Sequence, residues 1–357
     1  MNVTNRLVTF CLVVFVTCFA AGQTYTVTDI GVLPGDSSSL AYYVNSSGQV
    51  TGCSDNSTSQ STLCQGGLPS DTYLWTSSAG IQNLGTLAGD NSSVGFDIND
   101  AGEIVGFSTD TVTNVTHGFR WTLGGGMTDL GTLTGSSGYS VADAITSKGV
   151  IAGESSTSSG DVDAVVWTLR GDTYQINDEG HLPGAPYTYP YDINEKLQIV
   201  GVAYSNAAGT TYRGFLLSKA TGWKNLGTLA GGQNSFADWI NDSGVIVGMS
   251  TTAQFPNGVA VYWDASAKIH SLGTLPGGTQ SYAGGVNDLG QIVGESIVPG
   301  GILHACIWQK GGLQDLNNLI PPNSGWVLNH ASAINQAGQI SGFGTINGAT
   351  HGFLLTP

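Results

Sequence analysis

Three short phrases recur in the same order seven times along this chain, and they limit its fold more than any other feature. Self-similarity at a period of about 40–50 residues marks solenoids, propellers or arrays, in which one supersecondary unit is copied and stacked. The phrase Leu-Gly-Thr-Leu-x-Gly stands at Leu84–Gly89, Leu130–Gly135, Leu226–Gly231 and Leu272–Gly277. Weaker copies occupy Ile30–Gly35 and Gly180–Gly184, and a degenerate one is Leu316-Asn317-Asn318-Leu319. Their anchor positions 31, 85, 131, 180, 227, 273 and 317 are 54, 46, 49, 47, 46 and 44 residues apart. A second phrase, as in Ile98-Asn99-Asp100-Ala101-Gly102-Glu103-Ile104-Val105-Gly106, returns at Val44, Ile145, Ile193, Ile240, Val286 and Ile334. A third, aromatic phrase ends each unit, as in His117-Gly118-Phe119-Arg120-Trp121 and His304-Ala305-Cys306-Ile307-Trp308.

Each unit parses into four short strands. A run ending in Ile-Asn is the first, and Asn-Asp-x-Gly then supplies a turn start and the positive φ of a bulged hairpin. Val-Ile-Val-Gly is a second, β-branched strand, the aromatic phrase a third and Leu-Gly-Thr-Leu a fourth. Four antiparallel strands per unit predict a propeller blade. The chain ends after a third strand, His351 to Leu355, whereas a fourth strand, Tyr25 to Gly31, opens it. Joined, the two ends complete a blade and leave no unpaired edge. The expectation is therefore an all-β, seven-bladed β-propeller of four-stranded blades whose last blade is closed by the N-terminal strand, with an open β-solenoid as the alternative.

Composition agrees. The 357 residues include 53 Gly, only 10% are charged, and the formal net charge is −15. Helical bundles and coiled coils need the Ala, Glu, Lys and Arg that are scarce here, and this charge argues against a nucleic-acid partner. Residues 1–22 read as a secretory signal: Asn5 and Arg6, an apolar run from Leu7 to Ala21, then small residues before cleavage ahead of Gln23. Residues 23–357 then form a single domain, secreted to the extracellular space or periplasm, with no membrane span after cleavage and a monomeric state. Of the cysteines left after cleavage, Cys53 and Cys64 are expected to bridge in an oxidising compartment. Cys306 reads as a small core residue.

The phrases His-Ala-Phe-x-Trp, Asp-Leu-Gly-Thr-Leu-Gly-Gly and Ile-Asn-x-x-Gly-x-Val-Val-Gly resemble those of the HAF-repeat family of extracellular bacterial proteins. His304 to Trp308 and Asp129 to Leu133 carry the resemblance most closely. It spans essentially all of residues 23–357, departing in unit four (Arg213 to Leu217) and at Leu316 to Leu319. It implies an exported repeat protein and transfers no catalytic residues.

Catalytic and cofactor signatures are thin. The chain has five Glu and lacks Gly-x-Ser-x-Gly, His-Glu-x-x-His and Walker motifs. No cofactor is expected. The Asn-Asp-x-Gly turns offer one carboxylate each, too few for a calcium loop, so they read as turn chemistry and no metal is expected. His117, His304 and His351 begin equivalent strands and read as a shared local hydrogen bond or packing contact. Ser39, Ser93, Ser140, Ser235 and Ser281 recur five residues before the Ile or Val of the second phrase and read as loop caps.

Residues that differ between units at the first strand are the candidate ligand contacts: Tyr43, Asp97, Asp143, Tyr191, Asp192, Asp238 and Trp239. If that strand is innermost, they lie near the central channel. Aromatic faces with carboxylates suit a hydroxyl-rich ligand such as a glycan; the competing reading makes the aromatics inter-blade core and the acids turn partners. The leading expectation is a non-enzymatic binding module for a glycan or cell-surface protein. The alternatives are a glycan-cleaving enzyme using a carboxylate pair such as Asp97 and Asp192, and a structural surface protein without a ligand.

Overall fold

The computed structural model describes residues 24–57, 64, 69–310 and 312–357. The segment read as a signal, and part of the polar insert Asp55 to Asp71 that lengthens the first unit, lie outside the described residues. Among the described residues there is no α-helix; one 3-10 turn, Leu316–Asn318, occupies the degenerate copy of the fourth-strand phrase. The strands make five four-stranded sheets and one eight-stranded sheet, the latter being two antiparallel meanders joined by a single parallel bridge between Val162 and Tyr187. Strands within each meander lie side by side in one sheet, not as the successive parallel rungs of a solenoid.

The second unit shows how sequence becomes sheet. Its strands are Ser92–Ile98, Ile104–Asp110, Val115–Thr122 and Gly126–Asp129, paired antiparallel in chain order. Six of the seven residues of the first strand are buried, so neither face alternates with solvent and charged residues have little room in it. The Asn99 side-chain oxygen accepts the N–H groups of Ala101 and Glu103 at 3.1 and 3.0 Å, and Gly102 takes a φ of 77° to close the hairpin.

Between Gly95 and Asp97 the pairing shifts register, and the same bulge recurs in all seven first strands. It explains the glycine that ends Ile-Val-Gly. A Cβ on Gly106 would collide with the carbonyl oxygen of Val94, and Gly52, Gly153, Gly201, Gly248, Gly294 and Gly342 meet the equivalent carbonyl in the same way. That glycine admits the bulged strand.

Neighbouring sheets pack face to face through recurrent clusters, such as Ile98, Ile104, Phe119 and Trp121 with Leu74. Fully burying one such apolar side chain contributes about 1.5–3 kcal/mol. Serine staples add polar contacts, and here the structure corrects the expectation of loop caps. Ser93 is fully buried in its strand; its hydroxyl donates to the Gly85 carbonyl at 2.7 Å and accepts the Thr72 N–H of the preceding sheet at 3.0 Å. Ser39, Ser140, Ser235 and Ser281 do the same at their own sheet contacts.

The last sheet combines Trp326–Ile334, Ile340–Ile346 and Ala349–Thr356 with Thr26–Gly31, which pairs antiparallel along Ala349–Thr356. This sheet packs on the first: Ile30, Ala333 and Leu354 share one cluster with Ala41, Val44 and Tyr73. Cys53 and Cys64 form a disulfide with a Cα separation of 6.2 Å, pinning the start of the insert, and Cys306 is a free, fully buried thiol.

Candidate binding site at the asparagine turns

The hairpin turns after the first strands converge on one another, and their asparagines link the sheets. Asn45 donates from Nδ2 to the backbone carbonyl of Asn99 at 3.1 Å, and Asn99 donates to that of Thr146 at 3.2 Å. Asn194, Asn241 and Asn287 each reach the next turn in the same manner at 3.0–3.1 Å. Asn335 returns to the carbonyl of Asn45 at 2.9 Å, across 290 positions of sequence. One rung differs: Thr146 stands where the other units have Asn, and its hydroxyl only accepts the N–H of Val150.

These turns frame a cavity of about 330 Å³. Tyr43 and Trp239 both line it and stack on each other, ring centroids 5.3 Å apart and planes 18° from parallel. The two residues lie in different sheets, so the stack spans the space between first strands that are remote in sequence. Around it the lining carries Asp97, Asp100, Asp192, Glu195, Asp242 and Asp288, with no Lys, Arg or His among the described residues.

The acids fall into two kinds. Asp97 and Asp192 are buried clamps: each accepts the N–H of its own successor (Ile98, Ile193) at 2.7 Å and of a residue in the next sheet (Ile145, Ile240) at 2.8 Å. Burial pushes Asp97 up to about 7 against the pull of those two donors. It holds Asp192 well above the usual carboxylate range, with the charge of Asp97 adding to the rise. Asp100, Glu195, Asp242 and Asp288 are exposed on the rim. Each gives one oxygen to a backbone N–H of an adjoining turn, those of Ser46, Ser147, Glu195 and Asp242 respectively.

The sequence treats seven channel residues as one set; the structure divides them. Tyr43, Asp97, Asp192 and Trp239 line the cavity, whereas Asp143, Tyr191 and Asp238 do not. The bulge is the reason. Asp143, Tyr191 and Asp238 are the extra, unpaired residues of their first strands, and a bulge aims its two neighbouring side chains differently. Their partners form a second tier. Asp143 faces Glu154, whose other oxygen accepts the Tyr139 hydroxyl at 2.9 Å. Asp143 Oδ2 and Glu154 Oε2 have no donor among the described residues. Burial raises both acids; the charge of Glu154 lifts Asp143 further, whereas the Asp143 and Tyr139 contacts pull Glu154 back down. Burial lifts Asp238 to about 6 although the Tyr282 hydroxyl bonds to it. Nearby, His330 Nδ1 contacts Glu295 Oε2 at 2.8 Å and its ring stacks on Phe343. Glu154 and Glu295 follow the glycine of the second-strand phrase, and that shared register is the signal that could have placed them in this tier.

The recurring histidines have a common task at the sheet edge. His117, His304 and His351 contact Asp129, Asp315 and Asp29 of the adjacent fourth strand through Nδ1 at 2.7–3.1 Å. The first unit replaces the pair with Asn83 donating to Asp71. Asp129 also caps the N–H of Gly131 at 2.7 Å, which explains Asp-Leu-Gly as a phrase: the Asp oxygen and the glycine φ of 73° make one turn.

No family model matches the chain, and no curated protein matches it. Among solved structures, the chain is similar to a puromycin hydrolase S511A mutant complexed with PGG (TM-score 0.54, 12% identity), over 87% of this chain and 50% of that one. It thus spans half the length of that enzyme. It is also similar to TolB from Acinetobacter baumannii (TM-score 0.44, 14% identity, 80% and 77% covered) and AofleA from Arthrobotrys oligospora (0.41, 9%, 82% and 88%). At 12% identity the likeness to the hydrolase speaks to the fold alone. The chain is an all-β protein of four-stranded antiparallel sheets whose structural neighbours are β-propeller-like.

Proposed function

We propose that this chain is an exported, non-enzymatic binding protein of the HAF-repeat type, a monomeric seven-bladed propeller closed into one ring that holds a glycan at the mouth framed by its asparagine turns. Closure is supported by Asn335 reaching Asn45, by Gly352 donating to Ser39 at 2.9 Å, and by the cluster shared between the first and last sheets. Export is supported by the apolar run Leu7 to Ala21 ahead of Gln23 and by the Cys53–Cys64 disulfide. A net charge of −15 disfavours nucleic acid as the partner.

One observation carries the binding reading: the cavity is lined by a stacked Tyr43–Trp239 pair ringed by exposed carboxylates. An aromatic platform with acceptors at its edge is how hydroxylated rings are held. Two features turn the reading away from glycan cleavage. The oxygens of Asp97 and Asp192 are engaged by backbone N–H groups. The Asp143–Glu154 pair is in mutual contact, whereas glycosidic cleavage needs carboxyls about 5 Å apart or more with the sugar between them. The test is a glycan array probed with residues 23–357 and with Trp239→Ala. The expected result is retention on a defined set of glycans that Trp239→Ala abolishes. Retention on none, or retention indifferent to Trp239→Ala, would overturn the reading.

A further inference from the structure

The cavity lined by the stacked aromatics has a charge of one sign only, and that selects among glycans. Asp100 and Asp242 have one oxygen on a backbone N–H, and Glu195 likewise; the second oxygen of each has no donor among the described residues. Asp288 has both oxygens engaged, Oδ1 by the Asp242 N–H and Oδ2 by the Gln336 amide. The backbone bonds fix three exposed carboxylates around the opening, each with a free oxygen. Two cations stand nearby in sequence, Lys148 and Lys196, but neither lines the cavity. No basic side chain among the described lining residues can accept an acidic sugar, and a neutral sugar offers the rim carboxylates hydroxyl donors but no opposite charge.

Resting on the glycan reading above, we infer that the ligand is an amine-bearing glycan, a polymer of 2-amino-2-deoxy sugars whose ammonium groups meet the rim carboxylates while a ring packs on Tyr43 and Trp239. Opposite charge at a partly screened rim strengthens binding and makes it depend on ionic strength. The aromatic faces add a cation–π attraction that a neutral substituent lacks.

Three β-1,4-linked tetramers differing only at C2 make the test: glucosamine, N-acetylglucosamine and glucose. Each is titrated calorimetrically into residues 23–357 at pH 6.5. The expected result is affinity about tenfold or more higher for the glucosamine tetramer, with most of that advantage lost between about 25 and 250 mM NaCl. The variant Glu195→Gln/Asp242→Asn removes the same advantage, bringing the affinity for the glucosamine tetramer down to that for the neutral tetramers. Equal affinity for all three tetramers overturns the amine proposal while the glycan reading stands. Binding of the glucosamine tetramer that persists unchanged in Trp239→Ala overturns it as well, because unspecific attraction to an acidic surface then suffices. Failure of all three tetramers overturns the proposal, and the glycan array then decides whether the wider reading falls with it.

Discussion

Thr146 interrupts an otherwise continuous ladder of asparagines, and restoring it is a stringent test of why the repeat carries Asn at that turn. In the six other units the side-chain oxygen serves its own turn, and in each of these the amide donates to the next turn's carbonyl. Thr146 is 3% exposed, within the range of the asparagines around it, so the position admits an Asn of the same pose. Thr146→Asn keeps an acceptor for the Val150 N–H and adds a donor to the Asn194 carbonyl. One buried neutral hydrogen bond contributes about 0.5–1.5 kcal/mol net, which for a chain of this length corresponds to a rise of about 1–3 °C in Tm. The matched loss is Asn335→Ala. It strips one of two donors from the buried Asn45 carbonyl, which keeps the Gly48 N–H, and an acceptor from Ala337 and Gln339, and costs about 1–3 kcal/mol for the hydrogen bonds lost. Urea denaturation followed by tryptophan fluorescence reads both. A Thr146→Asn protein no more stable than wild type, beside an Asn335→Ala protein of unchanged midpoint, refutes the ladder as a source of stability.

Other consequences follow from the bulge, the buried acids and the chain ends. Gly106→Ala, which drives a Cβ into the Val94 carbonyl, lowers stability by about 2–4 kcal/mol. Gly124→Ala, with open space around it, stays within about 0.5 kcal/mol; equal midpoints for the two contradict the account. The buried acids Asp97, Glu154 and Asp192 and the half-buried Asp143 and Asp238 have raised folded pKa values, so the native state keeps protons that the unfolded chain releases near pH 4. Their stabilising effect is complete below that pH and is lost as pH climbs through about 6 for Asp238 and about 7 for Asp97. Denaturation midpoints are therefore higher at pH 5.5 than at pH 8, and Glu154→Gln, which supplies Asp143 with an amide donor, narrows the gap. A midpoint that rises with pH contradicts this. Deleting residues 24–33 strips the partner from Ala349–Thr356 and removes the buried Tyr25, Ile30 and Leu33. Light scattering should then report unfolding or association, and a stable monomer after the deletion argues against closure.

What the sequence disclosed and what it hid have the same origin in the repeat. Four strands per unit were legible because turn chemistry is local: Asn99 and Gly102 specify their hairpin without reference to anything distant. The histidines were legible as a repeated task, though their carboxylate partners lie on the neighbouring strand. The serines were misread because a hydroxyl near a turn looks like a cap until the sheet packed behind it is known. The candidate site was half legible. Variation at the first strand led to Tyr43, Asp97, Asp192 and Trp239, but the bulge between Gly95 and Asp97 leaves no mark in a hydrophobic pattern. Asp143 and Asp238 were therefore grouped with residues they do not join. Likewise, the stack of Tyr43 on Trp239 joins positions 196 apart and has no signature in either unit.

The most direct test of the account is fluorine NMR of the 5-fluorotryptophan protein, with the Trp239 resonance assigned by its loss in Trp239→Phe. Titration with the glucosamine tetramer should shift or broaden that line while those of the buried Trp167 and Trp263 stay in place. A bound tetramer that leaves the Trp239 line unmoved would place the ligand elsewhere and contradict the site.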